Sequence, residues 1–378
     1  MSDNPELSRL KRKFLRHLIK IGYHEENGIW IPPKFSSKED IREIARPGVL
    51  ERIKRAEPCL RPREDILLES IAEGNEIIPR LIFPKIVRIR PETKEELLFR
   101  YAALHWSIPV SSGYGRRLRF LIIDENSAKL IGIIGMGDPV FNLREREKWI
   151  GWDKEMKNRN LRSVMDAFVL GAIPPFSNLL FGKFIAMATV SREVRQFYDE
   201  KYLHTRSLIS GERREAPLAL ITTMSALGKS SIYDRISYFE NQKIMKMIGT
   251  TLGTGDFHLN NGFYKDLFNY VKINSPTSCK NEKWGTGFRN RREVILKFLK
   301  AADLNDSILT HGIEREIFVA PTAMNSREYL RGEDDVLDYY DWKLAELYDY
   351  FTDRWMLPRA ARRNDYLKFN SSSWKIWT

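Results

Sequence analysis

The chain has 378 residues, 43% hydrophobic and 12% aromatic, which is enough to bury a sizeable core and too much for wholesale disorder. Lys and Arg number 62 against 50 Asp and Glu, and the resulting formal net charge of +12 favours a polyanionic partner without demanding one. Two cysteines, Cys59 and Cys279, exclude a disulfide scaffold and a four-cysteine zinc site, and they point to a reducing cytoplasm.

Residues 6–21 predict an amphipathic helix, with Leu7, Leu10, Phe14, Leu18 and Ile21 at helical spacing. Lys11, Arg12, Lys13, Arg16 and Lys20 cover its other side, either as a solvated face or as a phosphate-contacting one. Residues 37–77 read as helix interrupted at Pro47, Pro58 and Pro62. The stretch 81–90 reads as extended, and Thr93 with Glu96 resembles a capping box that opens a further helix. The clearest β signal follows: Leu118–Ile123, a turn at Asp124-Glu125-Asn126, then Leu130–Met136. Asp166–Ile173 predicts a strand that ends in Pro174-Pro175. Residues 178–189 and 191–202 predict helices, with Ser177 or Asn178 capping the first and Ser191 the second. Leu218–Thr223 and Glu316–Ala320 read as strands, 262–273 and 290–302 as helices, and 333–356 as an acidic, aromatic-rich helix before a basic tail. The fold class is therefore mixed α/β, a central mixed sheet with flanking helices. Three segments are expected: a helical N-terminal region at 1–78, an α/β core at 79–325, and an acidic helix with basic tail at 326–378.

Several stretches have residue types suited to chemistry. Thr223 to Ser230 ends in Gly228-Lys229-Ser230 after a strand, like a phosphate-cradling loop, but Thr223 stands where that loop needs glycine. Gly249 to His258 is glycine-dense, which implies close approach of a ligand or of another chain segment. His258 at its end is the candidate acid or base. Trp152 and Asn160 fit either an aromatic anchor or a stacking platform. Asn178, Gly182 and Lys183 sit at a strand-to-helix turn, either as caps or as an anion site. No histidine has metal-ligand spacing, and neither a metal nor a cofactor is expected. No apolar run approaches the roughly 18 residues of a membrane span.

Taken together, Trp149-Ile-Gly-Trp152 with Asn160-Leu161, PPFSNLLFGKFIA at 174–186, LALITTMSALGKSSIYDRI at 218–236, GTTLGTGDFHL at 249–259, RNRREVILKFL at 289–299, HGIEREIFVAP at 311–321 and DRWMLPRA at 353–360 carry a resemblance. The chain resembles the Druantia anti-phage protein A family over about residues 100–365. That resemblance implies a component of a bacterial antiviral system whose partners include a large helicase-like subunit. Residue type then marks Lys183, Tyr233, Arg235, Arg289, Arg292, Arg315, Arg359, Arg362 and Arg363 for nucleic acid, DNA above all. Trp152, Asn160, Asn178, Gly182, Ser230 and Ser231 are marked for a ligand. The strand–helix–helix–strand run at 166–223 also resembles the core of acetyltransferase-like (GNAT) folds, without their Q/R-x-x-G-x-G/A loop. A nucleic-acid-binding, complex-assembling subunit is expected, and an acyl- or group-transferase acting on nucleic acid or nucleotide is the alternative.

Overall fold

The β signal at 118–136 builds the middle of a seven-stranded sheet. The strands are β1 (Pro84–Arg88), β2 (Arg117–Asp124), β3 (Leu130–Gly137), β4 (Val164–Ala172), β5 (Leu220–Met224), β6 (Lys246–Thr250) and β7 (Glu316–Pro321). Their spatial order is β6-β7-β5-β4-β3-β2-β1. Neighbours are antiparallel except β4 and β5, which run parallel. The β2–β3 hairpin closes as its turn chemistry predicts, with the Asp124 carboxylate accepting the Ser127 amide at 3.2 Å. This computed structural model describes residues 4–110, 115–205, 215–239, 242–259, 263–278 and 288–377.

The larger of two compact units, Ala56–Trp106, Val110–Thr250 and Glu316–Thr378, holds this sheet. The smaller, Met1–Arg55, Ser107–Pro109 and Thr251–Arg315, is helical. Both units are discontinuous in sequence, whereas the sequence reading set three consecutive segments.

In the smaller unit, α1 (Pro5–Lys20) is capped by Asn4, whose side chain accepts the amides of Glu6 and Leu7. The first part of α2 (Lys38–Leu60) also belongs here. This helix runs through Pro47 and Pro58 and ends at Leu60, where a 3₁₀ turn containing Pro62 follows. In the larger unit come α3 (Lys94–Ala102), α4 (Arg144–Ile150), α5 (Lys154–Asn160), α6 (Phe181–Ala188) and α7 (Arg192–Tyr198). Next are α8 (Phe263–Asn274) and α9 (Phe288–Ala301) of the smaller unit, then α10 (Ser326–Arg331), α11 (Leu344–Phe351) and α12 (Leu357–Arg362) of the larger. Leu10, Phe14 and Leu18 of α1 pack with Phe263 and Leu267 of α8 and Val294 and Phe298 of α9, burying the stripe read from the sequence. On one sheet face, Phe120, Ile134 and Met165 meet Phe184 of α6 and Phe351 of α11. On the other, Val164, Leu220 and Val319 meet Ile150, Trp152 and Leu330.

Two boundaries differ from expectation. Phe176–Leu179 form a 3₁₀ turn and α6 begins only at Phe181, with Leu180 as its cap in the left-handed region (φ 66°). Neither Ser177 nor Asn178 caps it; the turn instead buries Phe176, Leu179 and Phe181. The acidic helix begins at Leu344, not 333. Residues before it lie along 322–325, held by the Asp338 amide on the Asn325 side-chain oxygen (2.8 Å) and the Met324 amide on the Asp338 carbonyl (2.8 Å). Those backbone partners compete with helix at just the Asp-rich positions where helix propensity is weak.

Candidate functional site

The sheet positions the first polar cluster. β4 and β5 pair only at Val164–Asp166 with Leu220–Thr222, although β4 runs on to Ala172. β4 also skips a residue against β3, leaving Phe168 without a register partner. Asp166 is the last residue of β4 paired to β5, and the Thr222 hydroxyl donates to its carboxylate at 2.8 Å. Burial pushes the Asp166 carboxyl up to about 6, against the opposing effects of that hydrogen bond and of Arg146. Arg146 of α4 is fully buried, donates to the carbonyls of Val140 and Phe141, and lies 5.9 Å from the Trp152 ring centre. Beside it, Lys157 of α5 donates to Glu147 (2.7 Å) and Asn142 (2.6 Å). A carboxyl group poised near neutrality can give or take a proton. Trp152 is a buried anchor, and the Asn160 amide ties α5 to α10 through the carbonyls of Tyr329 and Leu330.

The second cluster gathers Gly182, Lys183, Ser230, Tyr233 and Arg235. Lys183, expected on a phosphate-contacting surface, is instead buried, with its ammonium against the carbonyls of Ile232 and Arg235 and 5.1 Å over Trp355. Burial, then Arg235 and Arg354, draw its pKa down. Tyr233 packs on Phe318, and burial pushes its phenol up to about 12. Gly182 lies against Ile232, where an added Cβ would meet that side chain at 3.3 Å. Ser230 accepts the amides of Ile232 and Tyr233, while its own amide goes to the Glu316 carboxylate at 2.6 Å. A carboxylate therefore occupies an amide that a phosphate-cradling loop would offer to phosphate, and a 3₁₀ turn (Tyr233–Arg235) follows in place of the required helix. Ser231 and Arg235 are exposed.

Asn178 meets Arg359 and Asp365: the Arg359 Nε donates to the Asn178 carbonyl (3.0 Å) and the Asn178 amide to Asp365 (3.4 Å). Arg363 lies 3.6 Å from Asp365 and is exposed, as is Arg362.

His258 is in the smaller unit and is only 3% exposed. Its Nε2 meets the Ile308 carbonyl (2.9 Å), its ring stacks on Tyr23 at 5.3 Å, and burial draws its pKa down to about 4. The ring is thus enclosed by packing in this structure. The glycine-rich loop before it approaches a chain segment: the amides of His311 and Gly312 donate to the Gly253 carbonyl at 2.8 and 3.0 Å, and Gly253 (φ 65°) would drive any Cβ into Gly312. Arg315 is largely buried, and burial lowers its pKa. Arg292 is exposed on α9, and the side chain of Arg289 lies outside the described residues, as does Cys279.

α1 carries the basic side that its sequence allows as a phosphate-contacting face. Arg9, Arg12, Lys13, Arg16 and Lys20 are all exposed and share one side of the helix, while Lys11 is half-buried. Lys13 pairs with Asp266 at 2.6 Å. The smaller unit as a whole has 23 Lys and Arg against 15 Asp and Glu, so about two thirds of the chain's net charge resides there. Arg9 belongs to the stripe at helical spacing from Arg12 and could have been found by periodicity. Among the described residues no group of His, Cys, Asp or Glu could hold a metal ion, and no helix is long and apolar enough to cross a membrane.

Fold and sites together define a mixed α/β protein with a strongly basic helical unit. The model of the family described as Druantia protein DruA matches residues 36–332. Druantia protein DruA of Escherichia coli (strain UMEA 4076-1) is 36% identical over 362 residues, covering 95% of this chain and 89% of that protein. The chain belongs to the DruA family, and so to the components of a multi-gene anti-phage defence system. No solved structure matches it.

Proposed function

We propose that this chain is the nucleic-acid-binding and assembly subunit of its cytoplasmic defence system, working beside a large helicase-like partner, and that the smaller unit meets DNA. The observation that carries the reading is the α1 stripe. Arg9, Arg12, Arg16 and Lys20 are spaced three or four residues apart on an exposed helix face. At about 1.5 Å per residue they span roughly 16 Å, over which duplex DNA offers about ten phosphates. The test is a titration against single-stranded, duplex and forked DNA at about 50 and 200 mM salt. The combined variant Arg9→Ala, Arg12→Ala, Arg16→Ala should weaken binding to all three and flatten the slope of log K against log salt by about 2.7 on the duplex. All three side chains are exposed, so folding should be unaffected. Wild-type binding without salt dependence, or equal binding by the variant, would overturn the reading.

A second reading, a group-transferase, is favoured by Asp166 at the end of the parallel pairing. The strand order, with the last strand β7 inserted beside β5, supports an acetyltransferase-like core. It predicts that Asp166→Asn abolishes phage protection while DNA affinity is kept. Full protection by that variant would remove this reading.

A further inference from the structure

A cavity of about 680 Å³ opens in the larger unit beside α11, lined by Tyr238, Phe239, Glu346, Asp349, Tyr350, Asp353 and Arg354. Its floor is three rings in mutual contact: Tyr238 and Phe239 at 4.5 Å, Tyr238 and Tyr350 at 5.1 Å, Phe239 and Tyr350 at 5.3 Å. Phe239 is 62% exposed, a large apolar ring held in water. Glu346, Asp349 and Asp353 follow one another at helical spacing along the cavity's wall, and Asp349 and Asp353 are exposed. In a chain with net charge +12, this wall has the opposite sign. Rings with negative faces beside carboxylates select a planar cation. The chain itself shows the mode at the rim, where the Arg354 guanidinium stands 5.8 Å from the Tyr350 ring centre and 5.4 Å from that of Trp355.

We propose that this cavity captures an arginine-bearing basic segment of a companion subunit, with a guanidinium over the Phe239 and Tyr350 rings and its charge against Asp349 and Asp353. The proposal rests on the assembly half of the reading above. Nucleic acid is disfavoured here because its phosphates would face three carboxylates. Arginine is preferred to lysine because a planar guanidinium lies flat on a ring, whereas an ammonium holds its water more tightly.

The test uses the full chain and two blocked peptides, (Arg-Gly)₃ and (Lys-Gly)₃, titrated calorimetrically at low and moderate salt. The arginine peptide should bind more tightly, and salt should weaken it. Asp349→Asn with Asp353→Asn should weaken it by about 10-fold, and Phe239→Ala by about 2- to 5-fold. Arg354→Ala should tighten it, because a competing cation leaves the rim; this opposite sign separates a site effect from misfolding. In cells expressing the whole gene set, the Asp349→Asn, Asp353→Asn chain should lose a companion subunit that the wild type retains. Unchanged affinity across the variants overturns the site. If affinity follows the variants but every companion is still retained, the proposed occupant is wrong while the assembly reading stands. If the wild-type chain retains no companion at all, the assembly reading falls and takes the proposal with it.

Discussion

A carboxyl group in the middle of an apolar strand has a folding cost that depends on pH. Burial lets Asp166 hold its proton up to about pH 6 in the fold, well above the usual carboxylate range. The folded form binds the proton more tightly than the unfolded chain does. The site's contribution to stability is therefore full below about pH 4 and is lost as the pH rises through 6. Asp166→Asn should remove that loss: at pH 7 the variant is expected to be more stable by about 2–3 kcal/mol, with the gap closed near pH 4. Thermal unfolding at both pH values measures it, and an equal gap at each would mean the carboxyl is not perturbed. His258 and His311 behave with the opposite sign, since burial draws them down to about 4 and about 3. Their contribution is full above about pH 6.5 and fades as the pH falls toward their folded values. At pH 5, unfolding of the smaller unit should take up about two protons at these rings. Amide protection in α8 and α9, corrected for intrinsic exchange, should fall between pH 7 and pH 5; constant protection would contradict the buried, neutral rings.

Among the elements, α1 is the one most fully written in its sequence. Its stripe, its basic side and its cap are all local, and Asn4→Ala should cost about 1 kcal/mol by leaving two first-turn amides without their acceptor. The β2–β3 hairpin and the strands 164–172 and 220–224 were legible for the same reason: apolar runs bounded by turn residues. The start of α6 was not legible, because a 3₁₀ turn and a left-handed Leu180 are settled by what Phe176 and Phe181 bury, not by the cap residues beside them. The extended course before Leu344 is not legible locally, because the side chain of Asn325, just before α10, bonds the Val336 carbonyl and the Asp338 amide. The candidate sites show the same division. Asp166 stands out as the lone charge in VMDAFVLGA, but its partner Thr222 is 56 residues away and becomes visible only through the register of β4 on β5. Lys183 looked like a phosphate ligand because its burial is decided by the turn at 232–235.

At the scale of the whole molecule, the C-terminal tail is part of the larger unit's core. Glu64, only 2% exposed, accepts the Tyr101 hydroxyl (2.8 Å) and the amides of Ile376 (2.6 Å) and Trp377 (3.3 Å). Trp374 stacks on His105 with ring centres 3.9 Å apart. Ending the chain at Asn370 should lower stability by at least about 4 kcal/mol, since two indoles lose their burial and Glu64 loses its donors. A denaturant series on the truncated chain decides this, and a change below about 1 kcal/mol would show that the tail merely rests on the surface.

The interleaving of the two units sets an order on the life of the chain. At roughly 5–20 residues per second, α1 leaves the ribosome tens of seconds before α8 and α9 exist. Throughout that interval Leu10, Phe14 and Leu18 lack the partners that later enclose them. The nascent chain thus carries an uncovered apolar stripe beside a cationic side, the form in which a holdase or an acidic surface would meet it. The same interleaving constrains inheritance. No single crossover can transplant the smaller unit between relatives, because its segments 1–55 and 251–315 are separated in the gene by six of the seven sheet strands and must arrive together.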